Sequence, residues 1–171
     1  KRQVYGRDVN GRVSGGEQII EGGGRTENTV VSGQGTQEVG FFGTSENTEI
    51  ATGGTQNVSW EGTAVGTVVN GGTMNVEAEG KSQQTVVNSG FQNVFGTDSD
   101  SRVNGGKQIV KEHGTVRNAT VGGTGIQQVD AGGTAENSVI ESGGRLTVAG
   151  IQYMLRQLGA RAGVEKTHPH R

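Results

Sequence analysis

The sequence predicts an all-β chain, a parallel β-helix or β-solenoid of about eight rungs of 16 to 19 residues, closed by a short tail with helical spacing. Three observations predict this class. A cassette recurs along nearly the whole chain: Gln18, Gln37, Gln56, Met74, Gln92, Gln108, Gln127 and Leu146 follow one another at steps of 19, 19, 18, 18, 16, 19 and 19 residues. Two apolar columns keep the same beat: Ile20, Val39, Val58, Val76, Val94, Val110, Val129 and Val148, then Val13, Val31, Ile50, Val69, Val87, Val103, Val121 and Ile140. Paired glycines such as Gly53-Gly54, Gly71-Gly72 and Gly143-Gly144 punctuate each unit. A short period held this long is the signature of a repeat architecture whose units bury their faces on one another.

Within a rung the first element is a strand, because Gln56-Asn57-Val58 alternates polar and apolar residues with period two rather than 3.6. The second apolar column, in Thr67-Val68-Val69-Asn70, carries the same alternation. Strands of four to six residues cannot bury an inner face alone, so successive rungs are expected to pair in parallel about 4.8 Å apart, giving a rod about 40 Å long. Hairpin meanders are disfavoured, since each unit would have to reverse an even number of times to bring its columns back to one depth. Glycine supplies positive φ at the corners, and Asn28, Asn47, Asn70, Asn88, Asn104 and Asn137 are expected to tolerate the same conformation and to stack as amide ladders.

The rung around Gln92 is short, with Gly96-Thr97-Asp98-Ser99-Asp100-Ser101 at its bend. At Gly150 the beat stops, which divides the chain into a repeat region, residues 1–150, and a non-repeat tail, residues 151–171. In the tail Ile151, Met154, Leu155 and Leu158 fall at the spacing of a short amphipathic helix ending at Gly159, placed to cap the coil.

Composition sets limits on function. The chain holds 33 Gly, 1 Pro, 29% hydrophobic and 4% aromatic residues, too few large side chains for a wide core. Low apolar content can signify disorder, but a disordered segment keeps no phased valine columns. Cysteine is absent, so neither disulfides nor thiolate sites are expected. Residues 1–150 carry 11 Lys and Arg against 16 Asp and Glu, and the tail carries 4 against 1. That mildly acidic body argues against nucleic acid as partner. No run approaches the roughly 20 apolar residues needed to span a bilayer.

Catalytic candidates are sparse. His113, in Lys111-Glu112-His113-Gly114, reads as a solvated turn residue, and Asp98 with Asp100, the one close carboxylate pair, reads as a solvated loop. His168-Pro169-His170 in the tail is too small a set for a metal centre, and Gly123-Thr124-Gly125 lacks the aspartate of calcium-binding nonapeptide repeats. No catalytic residue, cofactor or metal site is expected. A hydroxyl phase recurs instead: Thr29, Thr48, Thr67, Thr85 and Ser138 lie eleven residues past the amide column, a candidate ladder for glycosylation or self-association if it faces solvent. Parity complicates that exposure, because Val31, Ile50, Val69, Val87 and Ile140 lie two residues later. A bend at the Asn-Thr step would separate the two.

The cassette, as in Gly132-Gly133-Thr134-Ala135-Glu136-Asn137-Ser138-Val139-Ile140-Glu141-Ser142-Gly143-Gly144, resembles the repeat of AIDA-type self-associating autotransporter adhesins of Gram-negative bacteria, TibA-like passengers included, over about residues 10 to 149. The resemblance implies a right-handed parallel β-helical passenger, displayed at the cell surface by an outer-membrane barrel. It further implies adhesion, autoaggregation and biofilm formation. The implied partners are identical passengers on neighbouring cells, a host surface or glycan receptor, and a heptosyltransferase acting on Ser and Thr. Neither signal peptide nor translocator barrel stands in these residues, so the chain is expected to be a passenger fragment or a truncated gene product. The competing class is a carbohydrate-active β-helix enzyme, a polysaccharide lyase or hydrolase, which would need Asp98 and Asp100 in one cleft.

Overall fold

The computed structural model describes residues 1–149 and the strand Val164–Thr167. Every described element is a β-strand and every strand pairing is parallel. The chain coils as a parallel β-solenoid with three strands per turn, as in Glu17–Ile20, Arg25–Glu27 and Val30–Ser32. Second strands stack into an 8-stranded sheet, while first and third strands form one 16-stranded sheet because Val68–Val76 and Val86–Val94 run through the corner between them. The helix expected over Ile151 to Leu158, and His168 and His170, lie outside the described residues. Val164–Thr167 pairs with Arg145–Ala149.

Pairing keeps the repeat in register: Gln37 opposes Gln56, which opposes Met74, then Gln92, Gln108, Gln127 and Leu146. First strands alternate half-buried and buried positions, so the amide column and the valine two residues on both point inward. Third strands bury Val31, Ile50, Val69, Val87, Val103 and Val121 completely. Each such side chain is worth about 1.5–3 kcal/mol relative to exposure. Second strands aim a single small residue inward: Thr26, Ser45, Ala64, Ser82, Asp98, Val116 and Ala135. Together these columns make a narrow core one side chain deep from each face.

Two corners show why the repeat has its composition. Between second and third strands stand Asn10, Asn28, Asn47, Gly66, Gln84, Asp100, Asn118 and Asn137, all at φ between 52° and 67°. Asparagine tolerates this left-handed region better than other side-chain-bearing residues. Amide bonds run up the corner from Asn28 Nδ2 to Asn10 Oδ1 (3.3 Å) and from Asn47 Nδ2 to Asn28 Oδ1 (3.4 Å). Asn70, Asn88 and Asn104 form a second ladder on another edge, at 3.0 and 2.9 Å, without positive φ, contrary to the shared conformation expected of them. At the corner between first and second strands Gly24, Gly43, Gly62, Gly80, Gly114 and Gly133 are buried, whereas Gly6 of the first turn is exposed and Gly96 half-buried. A β-carbon at Gly62 would come within 2.1 Å of the Val39 carbonyl oxygen one turn away, so only hydrogen fits.

Candidate functional site

The hydroxyl phase is inside. Thr29, Thr48, Thr67 and Thr85 are 0% exposed and Ser138 is 2% exposed, which corrects the surface position expected for this row. The bend that separates strands lies at Asn28, Asn47 and Asn137, one residue before each hydroxyl, so hydroxyl and following valine keep the same parity and both turn inward. Thr48 Oγ1 donates to Gln37 Oε1 (3.1 Å), Thr67 Oγ1 to Gln56 Oε1 (3.0 Å), and Thr85 Oγ1 lies 3.8 Å from Met74 Sδ. Thr29 and Ser138 hydroxyls are buried without a hydrogen-bond partner. None of the five is open to an external enzyme or a second rod in this fold.

These hydroxyls brace an internal amide ladder. Gln18 Nε2 donates to Asp8 Oδ2 (2.7 Å), Gln37 Nε2 to Gln18 Oε1 (2.8 Å) and Gln56 Nε2 to Gln37 Oε1 (2.7 Å). Beyond Met74 a second run links Gln92, Gln108 and Gln127, each step 2.8 Å. The amides thus pass hydrogen bonds from turn to turn, as buried amides require, with Gln127 Oε1 and the Thr29 and Ser138 hydroxyls left unpartnered.

Asp98 belongs to this interior rather than to a solvated loop. It occupies the small-residue column of the second strands, opposite Ser82, and is fully buried. Its carboxylate accepts from Gln92 Nε2 at 2.9 Å and Gln108 Nε2 at 3.0 Å, and from Ser82 Oγ at 2.5 Å. Burial pushes its pKa up against those bonds. Asp100, two residues later, stands at the exposed left-handed corner with φ 57° and accepts from Asn118. The two carboxylates thus face opposite sides of the wall and share no cleft. His113 is an exposed turn residue at φ 66°. Among the described residues no group of three or more His, Asp or Glu side chains is placed to hold a metal.

What the surface does present is aromatic. All six aromatic residues among those described are exposed: Tyr5 61%, Phe41 55%, Phe42 71%, Trp60 61%, Phe91 48% and Phe95 37%. Phe41, Phe42 and Trp60 sit at the glycine corner with φ of 47°, 65° and 48°, a conformation that costs an L-residue about 1–2 kcal/mol. Phe41 and Trp60 stack across adjacent turns, ring centroids 5.8 Å apart and planes 5° from parallel. The repeat does not announce this row, because the same corner positions hold Gly22 and Ala78 in neighbouring turns. The available signal was the placement of scarce aromatics inside glycine-flanked turns.

The site is therefore a rod surface of stacked rows, not a cleft. No protein-family model matches the chain, and no curated protein matches it. Solved structures do. A crystal structure of a TibA fragment, hyper-glycosylated by TibC catalysis, shares 29% sequence identity with 85% of this chain at a TM-score of 0.73. The chain spans 63% of that fragment. The resemblance of the repeat to AIDA-type, TibA-like passengers accordingly extends to the three-dimensional fold.

Proposed function

We propose that this chain is a segment of a surface-displayed bacterial autotransporter passenger that works as a non-enzymatic adhesin, in cell adhesion, autoaggregation and biofilm formation. The observation that carries the reading is the solenoid itself, in-register over eight turns and similar to the TibA fragment. Its rows repeat each outward position at strand spacing, so weak contacts of about 0.5 kcal/mol add along the rod into avidity. Identical passengers on neighbouring cells and a host surface or glycan receptor are the partners. Asp98 and Asp100, on opposite sides of the wall, lend no support to the hydrolase or lyase alternative.

Glycosylation by a TibC-like heptosyltransferase belongs to the same proposal, with the acceptors moved outward. Thr44, Thr63, Thr97, Thr115 and Thr134 each follow the corner glycine, open the second strand and point away from the core. Cells displaying the rod through a fused outer-membrane barrel are expected to settle faster than cells displaying the barrel alone. Equal settling would overturn the adhesin reading. Co-expression with the transferase should raise the intact mass, with sugars mapped to the outward threonines and not to Thr29, Thr48, Thr67, Thr85 or Ser138. An unshifted mass removes the modification.

A further inference from the structure

Trp60 carries an open aromatic face. Its indole stacks on Phe41 of the preceding turn, and the following turn places Ala78 at the equivalent corner, where a methyl cannot continue the stack. A recess of about 440 Å³ results, lined by Trp60, Ser59, Ala78, Asn57, Glu38 and Glu77 and not by Phe41. That volume lies within the range of small-ligand sites.

The recess is acidic and has no internal counterion. Among the described residues neither Glu38 nor Glu77 pairs with Lys, Arg or His. Glu38 is held in place by an amide run that ends on it: Asn93 donates to Asn75 (2.9 Å), Asn75 to Asn57 (2.8 Å), and Asn57 Nδ2 to Glu38 Oε1 (2.6 Å). Burial raises the Glu38 pKa, and the like charges of Glu17 and Glu77 raise it further. A half-buried carboxylate beside a second carboxylate gains most from an incoming positive charge. An indole face attracts the same charge through its quadrupole, most strongly when the cation is weakly hydrated.

We propose that the recess over Trp60 binds a methylated ammonium group, with the cation against the open indole face and Glu38 and Glu77 as its counter-charges. Ala78 is the residue that makes room for it. The proposal does not depend on the adhesin reading, since a rod without adhesive role would bind the same group. A quaternary ammonium needs no directional acceptor and meets the ring and the two carboxylates by charge alone.

Trp60 is the sole tryptophan, so emission excited selectively at the indole, away from the two tyrosines, reports this site alone. Titration of the full chain with choline chloride, at ionic strength fixed with sodium chloride, is expected to change the emission saturably. The neutral isostere 3,3-dimethylbutan-1-ol should bind at least about tenfold more weakly, because it lacks the charge. Glu38→Gln and Glu77→Gln should each weaken choline about five- to tenfold without lowering the melting temperature, since neither lies in the core and glutamine keeps an acceptor for Asn57 at Glu38. Ala78→Phe should fill the slot and abolish the response; if it fails to fold, the two glutamine variants decide. Co-sedimentation with phosphatidylcholine vesicles would assign the group to a lipid headgroup, and its absence alongside choline binding would assign it to a free amine. No saturable response to choline, equal binding of the isostere, or saturable binding of methyl glucoside indifferent to both glutamine variants would overturn the proposal.

Discussion

Replacing one buried glutamine by leucine should matter at Gln37 and hardly at all at Gln127, although both stand in the same column. Gln37 makes four bonds: Nε2 to Gln18 Oε1 (2.8 Å) and Thr26 Oγ1 (3.3 Å), and Oε1 from Gln56 Nε2 (2.7 Å) and Thr48 Oγ1 (3.1 Å). Leucine there strands the Gln18 carbonyl and the Thr48 hydroxyl in a dry interior, at about 1–3 kcal/mol each. About 1 kcal/mol of added apolar burial offsets part of this, so the net loss is about 3 kcal/mol. Gln127 already has a buried Oε1 without a partner, because Leu146 follows it. Gln127→Leu removes that orphan and creates one at Gln108 Oε1, so the change stays within about 1 kcal/mol. At about 2–4 °C per kcal/mol for a domain of this size, thermal unfolding followed by circular dichroism should show Gln37→Leu lowered by about 6–12 °C and Gln127→Leu within about 4 °C of the parent. Equal losses, or the larger loss at Gln127, would refute the ladder as a source of stability.

Three further outcomes follow from the geometry. Gly62→Ala, with its methyl 2.1 Å from the Val39 carbonyl oxygen, should cost about 3 kcal/mol or more in urea denaturation, whereas Gly6→Ala, with nothing within 4 Å and no positive φ, should fall within about 0.5 kcal/mol. Asn47→Val at φ 52° should lose about 1–2 kcal/mol and Asn47→Gly less than about 1, read from the same curves. Asp98 has a folded pKa raised above its unfolded value of 3.8, so the fold holds its proton more tightly than the unfolded chain does. Its contribution to stability is therefore most favourable below 3.8 and declines as pH rises toward the folded value. Asp98→Asn should abolish that slope, so its stability relative to the parent should rise as pH is raised above 3.8; a constant difference would contradict the assignment.

The solenoid was legible because its determinants are columnar. Val31, Ile50 and Val69 repeat at one phase, and a period of two within each strand settles which residues share a face. The hydroxyl row shows where that logic stops: two-residue parity put Thr29 and Val31 together, and only the backbone reveals that the bend is at Asn28 and not between them. Asp98 was misread because the short turn hides its alignment with Ser82, yet the residues stacked below it, Ala64, Ser45 and Thr26, are all small and buried. The aromatic corner was invisible to periodicity. Phe41 and Trp60 share a position that also accepts Gly and Ala, so no column marks it, and their exposure follows from the corner geometry alone.

Met74 interrupts the amide ladder, and the turn from Gln92 to Gln108 is shorter than its neighbours. A perfect repeat is degenerate under translation: a chain that slipped by one whole turn while folding would regain nearly every valine contact and every amide bond. Such a slip here would move Met74 away from its place between Gln56 and Gln92 and part Asp98 from the Gln108 amide of the next turn. The irregular turns thus act as keys, making one alignment of the coil distinguishable in energy from its shifted copies, and a homogenised variant with Met74→Gln and Asp98→Ser should fold into a mixture of registers.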